Sequence, residues 1–513
     1  MIKDKDEANH HNNKRIAKNT FIVYIRMLLV LAVTLFTVKI VLRALGVVDY
    51  GIYNVVAGLT YILLFVNSSL QLATLRFYSI SIGERDSHRL NAIFNLSFFI
   101  YAIIALIVVI LSETVGLWFL KNKMLIPDIR MTATLWIYQF SVVSFVISLL
   151  ASPFTALIIA HEDIKIYAVI SLIEAILKLV IAYLLLVLPF DRLFLYGMLM
   201  LGLSIMKVGV NIIFCKRKYK ECFFRLQWDQ NLFRSLFNYS SWTLIGTFSG
   251  VANSQGNNIL LNLFFGPLAN AARSVAFQVS HAVTLFSDNF FVSIRPPLIK
   301  SFAEKDYHYM MRLFLLSSKF SYCLLFLIFL PLMLETSYIL NLWLDDVTEY
   351  MIIFTRLILV YSLILSLHSP ITTLVQAAGE VKKYHLVVES MTLLSLPISY
   401  LLFKLGYPPQ STFYVSIVVF SLAHILRIVV LKKVIVYFSL REYFYKFIIP
   451  VFVITLLSSI TSFFVASLLS YGFKQFIMTI SASILLVSLF SLLFGFDKRE
   501  KKQLFLIIRK KIK

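Results

Sequence analysis

The sequence predicts an all-α integral membrane protein of about fourteen transmembrane helices, and three observations carry that prediction. Hydrophobic residues make up 59% of the 513-residue chain and charged residues 14%, against about 25% charged in an ordinary soluble domain. The mean hydropathy is +0.84. Apolar residues also gather into runs that match the roughly 20 helical residues a bilayer core requires. The net charge of +22 lies between these runs rather than on one face of a soluble domain, which excludes nucleic acid as a partner.

Taken in order, the N-terminal half gives spans at 20–45, 51–75, 93–119, 131–158, 165–188 and 193–214. The polar segment Met1 to Asn19 precedes a run too long and too marked by Arg and Lys for a cleavable signal, so insertion is expected to begin with the first span. The C-terminal half gives 236–264, 268–294, 312–334, 351–377, 385–404 and 411–432, with an extra pair at 447–469 and 475–495. Residues 1–214 are therefore expected to form an N-lobe of six helices and 236–434 a C-lobe of six, joined by the basic cytoplasmic linker 215–235. The extra pair and a basic tail fill 435–513. Two such halves, with a site at their interface and alternating access by rocking, are a common transporter plan.

Orientation follows from the loops, because short basic loops stay cytoplasmic. With both termini inside, the inner segments hold about 33 Lys and Arg and the outer ones about 5. The outer loop Glu335 to Tyr350 has Glu335, Asp345, Asp346 and Glu349 and no basic residue. One outer loop, Leu120 to Met131, dissents with Lys121, Lys123 and Arg130.

Several chemistries are absent. There is no GxxxxGK[ST] phosphate loop, no HExxH and no GxSxG, and no long outer loop that would hold a glycan polymerase's catalytic residues. Asp345-Asp346 reads as a solvated loop. The three cysteines, Cys215, Cys222 and Cys323, have no metal or disulfide spacing. No cofactor, no metal and no enzymatic activity are expected.

The functional signal is cationic. Arg26, Lys39, Lys178, Lys207, Arg273, Lys319 and Arg356 interrupt apolar spans, and each mid-membrane cation costs about 2.5 to 3.5 kcal/mol unless it faces a partner or a wet cavity. Arg43, Lys404 and Arg427 lie near span ends, where they are expected to snorkel. Glu174 and Lys178, four apart, share a helical face and can pair. Lys39 and Lys319 stay ambiguous. That leaves Arg26, Lys207, Arg273 and Arg356 in need of an anion. Glu174, Asp288 and Glu389 are the carboxylates available for proton or sodium coupling. The seventh span carries Asn253, Ser254, Gln255, Asn257, Asn258 and Asn262 on more than one face, a supply of partners for sugar hydroxyls or for neighbouring helices.

The stretch Leu45-Gly-Val-Val-Asp-Tyr-Gly-Ile-Tyr-Asn54 resembles the LGxxxYGxY signature of Wzx-type polysaccharide flippases in the multidrug/oligosaccharidyl-lipid/polysaccharide exporter superfamily. Gly256-Asn-Asn-Ile-Leu-Leu-Asn-Leu-Phe-Phe-Gly-Pro267, Ala269-Asn-Ala-Ala-Arg273, Arg295-Pro-Pro-Leu-Ile-Lys300 and Gln376-Ala-Ala-Gly-Glu-Val-Lys-Lys-Tyr384 are likewise similar to segments of lipopolysaccharide-biosynthesis flippases. The resemblance implies a bacterial inner-membrane protein that moves an undecaprenyl-diphosphate-linked oligosaccharide repeat unit from the cytoplasmic to the periplasmic leaflet for O-antigen or other surface polysaccharide. Its implied partners are that lipid-linked diphosphate, membrane lipids and other polysaccharide-assembly proteins. A diphosphate suits cations, arginine above all, so the expected substrate-binding set is Arg26, Lys178, Lys207, Arg273, Arg356 and Asn257. Related lipid II flippases use arginines of the first and eighth helices, where Arg26 and Arg273 stand. The extra helix pair resembles that of those fourteen-helix proteins and implies a groove for the lipid tail.

Two other readings stay open. A drug or metabolite antiporter of the same superfamily would favour an acidic cavity, whereas the spans here hold about ten cations to four anions. A membrane-embedded glycan polymerase or glycosyltransferase is the third.

Overall fold

Helices alone make up the regular structure of the described residues. The computed structural model describes residues 2–61, 64–84, 86–161, 163–223, 229–379, 384–468 and 472–497; the side chains of 2–26 and of some further helical positions lie outside the description. Arg26 is therefore known only as a position on its helix. The basic tail beyond 497 and residues 380–383 of the Gln376 to Tyr384 segment also lie outside the described residues.

Two compact units divide the chain, Met1–Ala271 and Ala272–Lys513. The first holds α1 (Ile2–Tyr61), α2 (Leu64–Gly83), α3 (Ser87–Leu111), α4 (Leu117–Asn122), α5 (Met131–Ala160), α6 (Ile164–Val187), α7 (Arg192–Lys218) and α8 (Gln230–Phe265). Helix α9 (Pro267–Ala303) starts there and continues into the second unit. The second unit then carries α10 (Tyr307–Leu334), α11 (Thr336–Trp343), α12 (Glu349–Ser366), α13 (His368–Ala377), α14 (Ser390–Leu393) and α15 (Ser395–Lys404). It ends with α16 (Ser411–Val434), α17 (Leu440–Tyr443), α18 (Ile449–Ser467) and α19 (Phe473–Phe490).

Eleven helical segments among the described residues are long and apolar enough to cross a membrane. The other expected spans, 51–75, 236–264 and 268–294, fall on the segment of α1 beyond Gly46 together with α2, on α8 and on α9, and these last three helices have 20, 36 and 37 residues. They have the length, but their polar residues hide them from a hydropathy reading. Many large apolar side chains point outward, among them Phe36, Leu106, Ile173, Ile213, Val418 and Leu485. Such a coat suits hydrocarbon and would be a liability in water. The molecule is a multi-pass membrane protein.

The glycines of the Leu45 to Asn54 motif have local reasons. α1 is two helical segments that meet at Gly46, whose φ of 76° and ψ of 169° suit a residue without a Cβ. That corner separates the first two spans. The Arg192 guanidinium donates to the Ala44 carbonyl oxygen at 2.9 Å just before the bend. Five residues on, a Cβ on Gly51 would sit 1.9 Å from the Pro267 carbonyl oxygen, so only glycine lets α1 meet the start of α9. Tyr53 then packs against Tyr196, the rings tilted at 58° with centroids 4.6 Å apart.

One cation of the dissenting outer loop, Arg130, is neutralised where it lies. Arg130 donates from Nε to Asp49 at 2.8 Å and from Nη1 to Asp191 at 2.6 Å, with a further bond from Nη2 to Asp49. One basic residue of that loop thus reports a clamp rather than a cytoplasmic address. Inside the first unit α5 packs on α7, α1 on α6 and α2 on α8. One apolar cluster gathers Tyr78, Phe94, Phe154 and Leu232; another gathers Ile52, Val55, Ile137 and Leu193.

In the second unit α12 and α15 pack on α16, and the extra pair α18 and α19 packs on itself and on α10. Ser458 and Ser462 on α18, and Thr479 and Ser483 on α19, are fully buried. Small residues four apart let helix backbones approach closely in a membrane.

Candidate functional site

Three intramembrane charges of the first unit, Glu174, Lys178 and Lys207, meet between α6 and α7. Lys178 donates to Glu174 Oε1 at 2.9 Å, as the four-residue spacing predicts, and Lys207 of α7 lies 2.7 Å from Oε2. One carboxylate thus serves two ammonium groups and leaves the cluster with an excess positive charge. Lys207, expected to wait for an external anion, already has a share of an internal one.

The asparagines offered to sugar hydroxyls are largely engaged elsewhere. Asn270 donates to both the backbone and the side-chain oxygens of Asn258, at 2.6 and 2.8 Å. Asn262 donates to Asn270 at 3.1 Å, while its own oxygen accepts from Leu125 N–H at 3.1 Å. Asn257, 6% exposed, donates to Asn253 at 3.2 Å. The bonds of Asn262 and Asn270 are the interhelical use of polar side chains, whereas that of Asn257 stays within α8. A hydroxyl-lined space exists in the same unit instead. A cavity of about 160 Å³ is walled by Tyr53 and faced by Asn67, Ser141, Ser144, Ser148 and Ser204.

In the second unit Arg273 is 7% exposed, its guanidinium 4.0 Å from the Phe277 ring centroid, a cation–π distance. The Tyr361 phenol stands within electrostatic reach of Arg273, Arg427 and Glu389. Arg427 is the residue that sequence reasoning missed. Expected to snorkel, it is 5% exposed and points inward. Its Nε donates to Tyr384 at 2.8 Å, Tyr384 shares a 2.7 Å hydrogen bond with Thr372, and Nη2 stands 3.8 Å from Glu389. Glu389 ends the π-helical turn His385–Glu389, a distortion frequent at functional sites. One turn before Arg427, His424 bonds Tyr443 at 3.1 Å and lies beside the His368 ring at 5.4 Å. The three-residue spacing of His424 and Arg427 put two polar groups on one helix face, and that was the available signal.

The remaining positions are dispersed. Arg356 is exposed on α12 and makes no hydrogen bond or ion pair among the described residues. Asp288 is exposed on α9, near His281, and has no ion pair among the described residues. Lys319 is 5% exposed, and its ammonium lies 5.6 Å from the Phe496 ring centroid. No cluster of His, Cys, Asp and Glu among the described residues could hold a metal ion.

No family profile and no curated protein matches the sequence. Solved structures do match. A structure of the lipid II flippase MurJ in an inward closed conformation has TM-score 0.68 at 15% identity, covering 92% of this chain and 98% of its own. The fold is that of the MOP-superfamily transporters. An inward-facing multidrug resistance MATE transporter of the superfamily has TM-score 0.67 at 11% identity, over 78% of this chain and 95% of its own. A MOP-superfamily transporter from Pyrococcus furiosus, described by the reverse polarity of its binding pocket, has TM-score 0.57 at 13% identity, over 81% of this chain and 96% of its own.

Proposed function

We propose that the chain is a flippase that carries an undecaprenyl-diphosphate-linked oligosaccharide from the cytoplasmic to the periplasmic leaflet of a bacterial inner membrane, with both termini cytoplasmic. The observation that carries this reading is the sharing of Glu174 by Lys178 and Lys207, which leaves net positive charge within the spans where a diphosphate would pass. Arg273 and Arg356, with Arg26 on the first helix, complete the proposed anion-binding set. Arg427 is added to it from the second unit. The hydroxyl-lined cavity by Tyr53 suits sugar rings better than Asn257 does.

Six helices from each half are proposed to rock about this site, as the lobes 1–214 and 236–434. Of the three coupling candidates, Glu174 is held by two lysines and Glu389 faces Arg427. Asp288 is therefore the carboxylate proposed to bind a proton or sodium ion. A drug-exporter reading draws support from the MATE likeness, but an excess of cations disfavours cationic drugs. The test is export of surface polysaccharide by cells carrying Lys207→Ala at normal membrane abundance. Export is expected to fall at least tenfold, while full export with unchanged drug tolerance would remove the lysine pair from the site.

A further inference from the structure

A second charged pocket lies at one end of the second unit, away from every residue assigned above. Its walls are the first turns of α10, the α17 turn and the residues that follow α19. Three candidate spans begin or end there: Tyr307–Leu334, Leu440–Ser467 and Phe473–Gly495. The pocket therefore sits at a membrane boundary. Its volume is about 480 Å³, enough for a phospholipid headgroup and its glycerol.

The chemistry of the lining is two-signed. Arg312 and Lys446 supply cations, and Glu442 and Asp497 supply carboxylates. Glu442 and Lys446 stand 3.3 Å apart and are 46% and 60% exposed, so each keeps a face for another partner. Tyr307 and Tyr437 stack at 4.1 Å and 14° to form an aromatic wall. Buried Met311 and Leu315 give the pocket an apolar floor. Tyr437 is exposed at the wall, and Phe444 and Tyr445, between Glu442 and Lys446 in the sequence, are exposed too, as aromatic side chains are at membrane interfaces.

We infer that this pocket binds the headgroup of a zwitterionic aminophospholipid, with the phosphate on Arg312 and Lys446 and the primary ammonium on Glu442, Asp497 and the tyrosine faces. The guanidinium suits phosphate through paired donors, and the ammonium gains hydrogen bonds from carboxylates and a cation–π contact. An anionic headgroup would satisfy the cations but bring its charge against the exposed Glu442 carboxylate. A choline headgroup has no N–H to give them. Phosphatidylethanolamine fits both signs at once, and this inference does not depend on the flippase reading.

Native mass spectrometry of the full-length protein, delipidated and titrated with dioleoyl phosphatidylethanolamine, phosphatidylglycerol or phosphatidylcholine, tests it. Phosphatidylethanolamine is expected to bind at least fivefold tighter than either of the others. Arg312→Gln should weaken it about tenfold, and Glu442→Gln should shift the preference towards phosphatidylglycerol. Soluble O-phosphoethanolamine should compete only weakly, since it lacks the tails that the membrane position requires. Equal retention of the three lipids, unchanged binding in both variants, or equally tight binding of O-phosphoethanolamine would each overturn the inference. The melting temperature of each variant, read in parallel, separates loss of the pocket from loss of the fold.

Discussion

Two ammonium groups on one carboxylate set the energetics of the α6–α7 seam. Without Glu174, Lys178 and Lys207 would repel each other with no compensating charge, a situation that costs about 3–5 kcal/mol for a fully buried pair. Their side chains are 40% and 43% exposed, and that exposure cuts the expected cost to about 1 kcal/mol or less. Glu174→Gln should therefore lower the thermal midpoint of the purified protein, and adding Lys178→Met should restore most of it; a double variant no better than the single one would sever the two residues. Outside the membrane, Asp163 offers a pH readout. Burial works to raise its pKa, but hydrogen bonds from Lys218 and Tyr219 outweigh burial and hold it below the ordinary 3.8. A depressed carboxylate contributes stability that is complete above its unfolded pKa and lost as pH falls through its folded one. Thermal stability should thus decline below about pH 4, and Lys218→Met should flatten part of that decline in a melt series across pH.

The corner between the first two spans shows how much a motif can mean at the level of an element. Gly46 bends the chain and Gly51 admits Pro267, so the two glycines of Leu45 to Asn54 serve different geometric needs. Gly46→Ala would force an alanine into a positive-φ, extended region that essentially only glycine visits, at about 1–3 kcal/mol. Gly51→Ala is expected to be worse, because the atom its Cβ meets is backbone and cannot swing aside. Membrane abundance should fall several-fold for Gly51→Ala and less for Gly46→Ala, and the reverse order in a quantitative blot would contradict this account of the corner. Here the sequence was readable, since both glycines stand in a recognisable signature. The Asn258–Asn262–Asn270 ladder was not, because a list of amides does not say whether they face a cavity or one another. Arg427 was misread for a related reason. Its distance from the span end was visible, but its partners, Tyr384 and Glu389, sit on another stretch of chain, and only folding brings them together.

Across the whole molecule, the apolar coat and the helix lengths were legible from composition, including the polar helices α2, α8 and α9 that hydropathy alone passes over. What composition could not supply is which cations keep internal partners. Glu174 and Glu389 being engaged leaves Asp288 as the coupling candidate, so Asp288→Asn should abolish any dependence of transport on a proton or sodium gradient while the protein still folds. Transport by that variant with its ion dependence intact would return the role to another group. The decisive measurement is made on purified chain in proteoliposomes supplied with a fluorescent undecaprenyl-diphosphate oligosaccharide. The lipid is expected to cross between leaflets, and to cross at least tenfold more slowly with Lys178→Ala and Lys207→Ala together. A chain that leaves the lipid in place, or that lengthens its glycan instead of moving it, is not a flippase of this lipid.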